Sequence, residues 1–185
     1  MNDTTTIRYI VNQEPFRPLD MIGGRFDFGN IVSFKNLQYE EVIEEVPAFC
    51  RLILDRMMGY ITSLREYQYV FIQLLNGPQT QGGLWHLDSS LNPTADYENF
   101  LFIADDNPTE FAMNPMTVAH ASTAIDFHKQ IVAQRPHVQA IPPYTICRYN
   151  GSNVHRRPPL THQGKRLLIR LSNTDAHHTR YGFNI

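Results

Sequence analysis

The chain has only two cysteines, Cys50 and Cys147, and neither belongs to a Cys-x-x-Cys pair. A zinc cage or a disulfide framework is therefore not expected. No apolar run approaches the roughly 18 residues that read as a transmembrane helix. Residues 1–4 are polar and lack the basic and apolar regions of a signal peptide. These absences predict a soluble, cytoplasmic protein with reduced thiols and no membrane partner.

An excess of positive charge is also missing. Lys and Arg together number 16 against 18 Asp and Glu, which gives a formal net charge of −2. This balance gives no electrostatic reason to expect a nucleic-acid surface. We therefore expect a small-molecule substrate. A peptide or nucleic-acid substrate stays open, because basic residues concentrate between Arg156 and Arg170, and the sequence leaves the oligomeric state undecided.

The 185 residues predict a single domain, 1–185. Residues 37–61 place apolar side chains three and four positions apart, as in an amphipathic helix that Pro47 must kink or restart. Short aromatic and β-branched runs separated by turn residues follow over 66–172, and 173–185 form a short tail. We expect a mostly β fold with supporting helices, whose core is a jelly roll, that is, a cupin-like double-stranded β-helix.

The last predicted strand, residues 166–172, has two unlike faces. One face carries three apolar side chains, and the other carries Arg166, Leu168, Arg170 and Ser172. Two arginines in an apolar interior would be very costly without anionic partners. The apolar face is therefore expected to pack beneath the helix, and the arginine face to line a polar pocket.

His86 and Asp88 lie two positions apart, so on an extended segment their side chains point to the same side. Alone the pair means little, because the aspartate could simply cap a turn. His155 follows Asp88 by 67 residues (155 − 88). Two histidines and one carboxylate can hold non-haem Fe(II) and leave coordination positions open. Their order and spacing, with the arginine strand behind them, favour a metal site over a turn.

Taken together, His86-x-Asp88, His155 and, fifteen residues later (170 − 155), Arg170 resemble the motif of the Fe(II)/2-oxoglutarate-dependent dioxygenases. In that superfamily, HxD…H is followed by an arginine on a strand of the jelly-roll core. Arg170-Leu171-Ser172 also resembles the Arg-x-Ser signature of part of the superfamily. The resemblance spans roughly residues 83–172 and assigns no subfamily.

This resemblance implies that His86, Asp88 and His155 bind Fe(II), with 2-oxoglutarate and O₂ as co-substrates. It implies that the guanidinium fork of Arg170 pairs with the distal carboxylate of 2-oxoglutarate. Ser172 could add a hydroxyl there, and Arg166 is a candidate for the other carboxylate or a salt-bridged rim residue. Thr109 could also reach the co-substrate, and no catalytic residue beyond the metal ligands is expected.

The activity implied is that of an oxidoreductase hydroxylating a C–H bond with release of succinate and CO₂. Asp88 argues against halogenation, because a halide would need its coordination position, whereas desaturation, epoxidation and ring formation stay open. The alternatives are a cupin-like metal-binding or sensing module, or a metalloenzyme that does not use 2-oxoglutarate. Trp85 is expected to pack in the core, and His128 to be exposed or hydrogen-bonded in the core.

Overall fold

A computed structural model describes residues 7–24, 26, 28, 31, 33–88, 97–104, 108–160 and 164–176. Of the predicted tail, 173 and 174 extend the last strand, whereas 177–185 lie outside the described residues. Among the helices of the described part, none is long and apolar enough to cross a membrane. The fold is mostly β, with antiparallel sheets and a few helices, as the sequence predicts.

The larger sheet has six strands, and every pairing in it is antiparallel. In spatial order the strands are β2 (Arg17–Met21), β9 (Thr145–Asn150), β5 (Tyr97–Ala104), β11 (Lys165–Thr174), β4 (Tyr67–Asn76) and β3 (Phe34–Gln38). The predicted strand 166–172 is thus the centre of β11, and its Arg170 lies between Phe71 of β4 and Leu101 of β5. Because β11 is hydrogen-bonded to a strand on each side, the positions of its side chains are well fixed.

The described part of the chain also contains two smaller sheets, and a helix follows one of their strands. One sheet pairs β10 (His155–Arg156), β6 (Glu110–Ala112) and β8 (Val138–Ala140), and the other pairs β1 (Arg8–Val11) with β7 (Met116–Ala119). Phe111 of β6 packs with Leu101, Ile103 and Cys147 of the large sheet. Helix α3 (Ala124–Ala133) begins at Thr123, whose Oγ1 accepts a hydrogen bond of 3.1 Å from the backbone N–H of Asp126.

The predicted helical stretch 37–61 consists of two helices, α1 (Tyr39–Val42) and α2 (Ala48–Gly59). Pro47 is the N-cap of α2, because proline has no N–H to give to a continuing helix but its φ suits a helix start. Residues 37 and 38 belong to β3, so the prediction was wrong at that end. Helix α2 buries its apolar side against Leu167, Ile169 and Leu171, and the two-faced character predicted for the last strand is confirmed.

Replacing Leu54 of α2 by alanine should lower the free energy of unfolding by about 2–5 kcal/mol, because the side chain is fully buried and leaves a cavity. Urea denaturation measures this loss. The matched control is Leu52→Ala in the same helix, whose side chain is 52% exposed and which should cost no more than about 0.5 kcal/mol. Equal losses in the two variants would contradict the helix orientation described above.

Candidate metal centre

Backbone pairing brings the two histidines together. The segment 79–86 runs antiparallel to 155–160, and Gln79 N–H donates to Leu160 O at 2.7 Å. At the other end His86 and His155 exchange both backbone hydrogen bonds, at 3.0 and 3.1 Å. Residues that exchange both bonds lie with their Cα atoms about 5.5 Å apart and their side chains on one face. The imidazole rings are accordingly neighbours, with centroids 4.4 Å apart.

Gly82 permits this close approach. A Cβ at this position would lie 3.1 Å from the carbonyl oxygen of Arg157 and 3.2 Å from Cδ of Pro159. A side chain would therefore push the segment 79–86 away from its partner. Gly82 is thus needed for the close approach of the segments 79–86 and 155–160.

On the opposite face of these paired segments, the side chains of Trp85 and Arg156 pack against each other. The guanidinium of Arg156 lies 4.5 Å from the centre of the Trp85 ring, and its Nε donates to Glu110 Oε2 at 2.7 Å. Trp85 is 1% exposed and packs in an apolar cluster with Val11, so the core position predicted from the sequence is confirmed. Its backbone N–H donates to Nδ1 of His128 at 3.0 Å, so His128 is hydrogen-bonded.

Two asparagines hold the turn that precedes His155. Asn12, which is buried and has a φ of 56°, accepts a 2.7 Å hydrogen bond from the backbone N–H of Val154 through Oδ1. Asn153 donates from Nδ2 to the carbonyl of Glu14 at 2.6 Å. The N-terminal segment is thereby fastened to the turn that leads into β10. We infer that these asparagines fix the position of the second histidine.

Asn12→Ala should destabilise the protein by about 2–4 kcal/mol, since it leaves a buried N–H unpaired and strains a left-handed backbone. Metal affinity should fall about tenfold, as for other residues that orient a ligand. Asn12→Gly tolerates the backbone conformation and isolates the lost hydrogen bond. Urea denaturation and a Co(II) titration measure both effects, and an unchanged metal affinity in both variants would contradict this role.

Each histidine is oriented by a carbonyl next to it. Nδ1 of His86 lies 2.7 Å from Leu84 O, and Nδ1 of His155 lies 3.0 Å from Asn153 O. Because a carbonyl can only accept, both Nδ1 atoms carry the proton and both Nε2 lone pairs are left to bind a metal. Burial, and then the neighbouring His155, lower the pKa of His86 to about 4, so its imidazole is neutral at pH 7.

Asp88 lies beside the histidines, with a side chain that is 8% exposed and Oδ2 3.5 Å from Nε2 of His155. The hydroxyl of Tyr149 donates to Oδ2, and Nη1 of Arg170 donates to Oδ1. Burial raises the pKa of this carboxyl, but the neighbouring guanidinium of Arg170 opposes this and holds the pKa well below its usual range. Asp88 is therefore an anion at neutral pH.

The three side chains fit one divalent ion. One donor atom each from His86, Asp88 and His155 lie within 4.8 Å of one another. Atoms bound to one ion at about 2.1 Å lie at most ~4.2 Å apart, so a shift of some tenths of an ångström would complete the centre. Two imidazoles and one carboxylate are a donor set for Fe(II) and similar metals.

The two arginines of β11 lie on the same face but have different partners. Arg170 is bound to Asp88, as described above. Arg166 is 1% exposed, and its Nη2 donates to Oγ1 of the buried Thr109 at 2.9 Å. The two arginines are four residues apart, which on a strand is ~14 Å between Cα atoms. Ser172 is buried on the same face, six positions and ~20 Å from Arg166.

Tyr149 was not singled out by the sequence, although it donates to Oδ2 of Asp88 and the centre of its ring lies 5.4 Å from that of His155. Side chains in β9 alternate between the two faces of the sheet. Tyr149 therefore lies on the same face as Cys147 and on the opposite face from Ile146 and Arg148. That alternation could have placed Tyr149 on the arginine side. Nothing in the sequence could pair it with Asp88.

Comparison with known proteins places the fold. The sequence matches no family model and no curated protein. Among solved structures, it is similar to HygX from Streptomyces hygroscopicus, which was solved with nickel and 2-oxoglutarate bound. The TM-score is 0.51 at 12% identity, over 90% of this chain and 85% of HygX. The chain shares the HygX fold.

A second similar structure is EvdMO1, with a TM-score of 0.44 and 12% identity. The likeness covers 75% of this chain and 33% of EvdMO1, so the chain spans about a third of the length of that protein.

Proposed function

We propose that this protein is an Fe(II)/2-oxoglutarate-dependent oxygenase that hydroxylates a C–H bond of a small molecule and releases succinate and CO₂. The observation that carries the proposal is the meeting of His86, Asp88 and His155, which are far apart in sequence, at one point of the fold. The nickel and 2-oxoglutarate bound to HygX support it. A jelly-roll core over 66–172 and a cytoplasmic location, where Fe(II) stays reduced, are parts of the same proposal.

The ligands would be Nε2 of His86, Nε2 of His155 and Oδ2 of Asp88. Three protein ligands leave positions for a bidentate co-substrate and for O₂. The metal with 2-oxoglutarate and O₂ would supply the oxidation, while the protein orients these groups and excludes water. The carbonyls of Leu84 and Asn153 keep each imidazole in the tautomer that this role needs.

Of the two arginines, we assign the distal carboxylate of 2-oxoglutarate to Arg166. Arg170 already donates to Asp88. The guanidinium of Arg166 donates to the hydroxyl of Thr109 in a buried place, where a carboxylate would meet a guanidinium and a hydroxyl together. Ser172 is too far along β11 to share that carboxylate with Arg166. The sequence-based role of Arg170 as co-substrate anchor is therefore replaced in this proposal.

Anaerobic addition of Fe(II) and then 2-oxoglutarate to the apoprotein tests the proposal. A weak charge-transfer band in the visible is expected only when both are present, and slow formation of succinate should follow admission of O₂. Metal uptake without the band would favour the alternative, a metal-binding module or a metalloenzyme that does not use 2-oxoglutarate. Failure to bind any divalent metal would contradict the proposal as a whole.

A further inference from the structure

The carboxylate of Asp88 has a cationic side chain beside it, that of Arg170. Nη1 of Arg170 donates to Oδ1, and Nη2 of the same guanidinium lies 3.4 Å from Oδ1 of Asn36. The guanidinium also lies 5.1 Å from the centre of the Phe71 ring, and the side chain is 16% exposed. Strands β3 and β4 and the loop that carries Asp88 thus hold this arginine of β11 against a proposed metal ligand.

The two oxygens of Asp88 have different surroundings. Arg170 binds Oδ1, whereas Oδ2 faces Nε2 of His155 at 3.5 Å and accepts from the neutral hydroxyl of Tyr149. A metal between the histidines would reach Oδ2 and leave Oδ1 to the arginine. Asp88 would then act as a ligand through one oxygen, and the guanidinium and the metal would share its single negative charge.

We propose that Arg170 is a positioning residue that takes the place of the metal's charge at Asp88: it keeps the carboxylate in place in the metal-free protein and weakens the binding of divalent metal. The inference rests on the metal centre proposed above. A buried carboxylate without a cation is very costly, so the arginine stabilises the metal-free site. Once a divalent ion is bound, the same positive charge repels it across one carboxylate. The centre is thereby preformed and its metal exchangeable.

Two variants remove the positive charge of Arg170, which in this proposal weakens the binding of divalent metal. Arg170→Met deletes the guanidinium, and Arg170→Gln keeps a neutral donor for Oδ1. Both should lower the melting temperature of the apoprotein. Both should bind Co(II) more tightly than wild type, by about tenfold, because a unit charge close to a divalent ion has been removed. Saturating Co(II) should therefore raise the melting temperature by more in these variants than in wild type.

Three controls separate charge from packing. Arg170→Lys keeps the charge and should keep wild-type Co(II) affinity. Tyr149→Phe removes a neutral donor to Asp88, so it should not tighten the binding. Arg166→Met removes a buried positive charge from the same strand face, ~14 Å along β11, and should leave the Co(II) affinity within about twofold of wild type.

Titration of the Co(II) absorption bands and differential scanning calorimetry, both without 2-oxoglutarate, give the result. Tighter Co(II) binding in Arg170→Met and Arg170→Gln supports the inference. So does a variant that folds only when Co(II) is present. Unchanged or weaker binding in both overturns it, as does failure of both to fold with Co(II) present, since the metal could then not replace the arginine. If wild type itself binds no Co(II), the proposed metal centre has failed.

Discussion

Arg166→Met is expected to reduce the affinity for 2-oxoglutarate by at least ~100-fold, because two charge-assisted hydrogen bonds of about 1.5–3 kcal/mol each are lost. The metal ligands lie elsewhere on the fold, so Co(II) or Fe(II) should still bind. Anaerobic titration of the Fe(II) protein with 2-oxoglutarate, followed by the visible band, measures the loss. Lys165→Met, the exposed neighbour in β11, is the matched control and should bind 2-oxoglutarate as wild type does.

Arg170 decides between the two assignments of the co-substrate anchor. In our proposal Arg170→Met keeps most of its 2-oxoglutarate affinity and changes its metal affinity. If Arg170 were the anchor, the pattern would be reversed: 2-oxoglutarate binding would be lost in Arg170→Met and kept in Arg166→Met. Thr109→Val provides a further check, because loss of one neutral hydroxyl should weaken 2-oxoglutarate by only about tenfold.

His155→Ala is expected to weaken metal binding by more than about 100-fold, beyond the range typical of residues that only orient a ligand. The reason is that one of three protein donors is lost and the remaining two cannot hold the ion in place. His86→Ala should behave in the same way. Isothermal titration with Co(II), together with metal analysis of the purified protein, measures the effect.

The control for these two variants is His137→Ala, since His137 is exposed and both of its described hydrogen bonds are made by the backbone. It should retain wild-type metal affinity. If His137→Ala lost metal as strongly as His155→Ala, or if His155→Ala kept it, the centre would lie elsewhere.

Local pattern predicted the last strand and its two faces correctly. Alternation with period two placed Leu167 and Ile169 under the helix and both arginines on the other face, because successive side chains of a strand point to opposite faces. Helical spacing was less reliable at 37–61. The restart at Pro47 was among the predicted outcomes, whereas the pairing of residues 37 and 38 with β4 overrode the helical periodicity, and the register of that pairing has no local signal.

The cluster of His86, Asp88 and His155 could be predicted from motif and spacing, but its supporting contacts could not. Asn12 binds the backbone 142 positions further on, and Arg170 binds Asp88 from 82 positions away. Such pairs depend on how strands and loops are placed in space. Arg166 and Arg170 share a face by alternation, so their proposed roles are distinguished by three-dimensional neighbours, Thr109 for one and Asp88 for the other.

The most direct test of the central claim is a crystal structure of the protein grown anaerobically with Mn(II) and 2-oxoglutarate, with anomalous data for manganese. We expect one anomalous peak about 2.0–2.3 Å from Nε2 of His86, Nε2 of His155 and Oδ2 of Asp88, and the distal carboxylate of 2-oxoglutarate on Arg166. A peak away from these three atoms, or 2-oxoglutarate bound at another place, would contradict it.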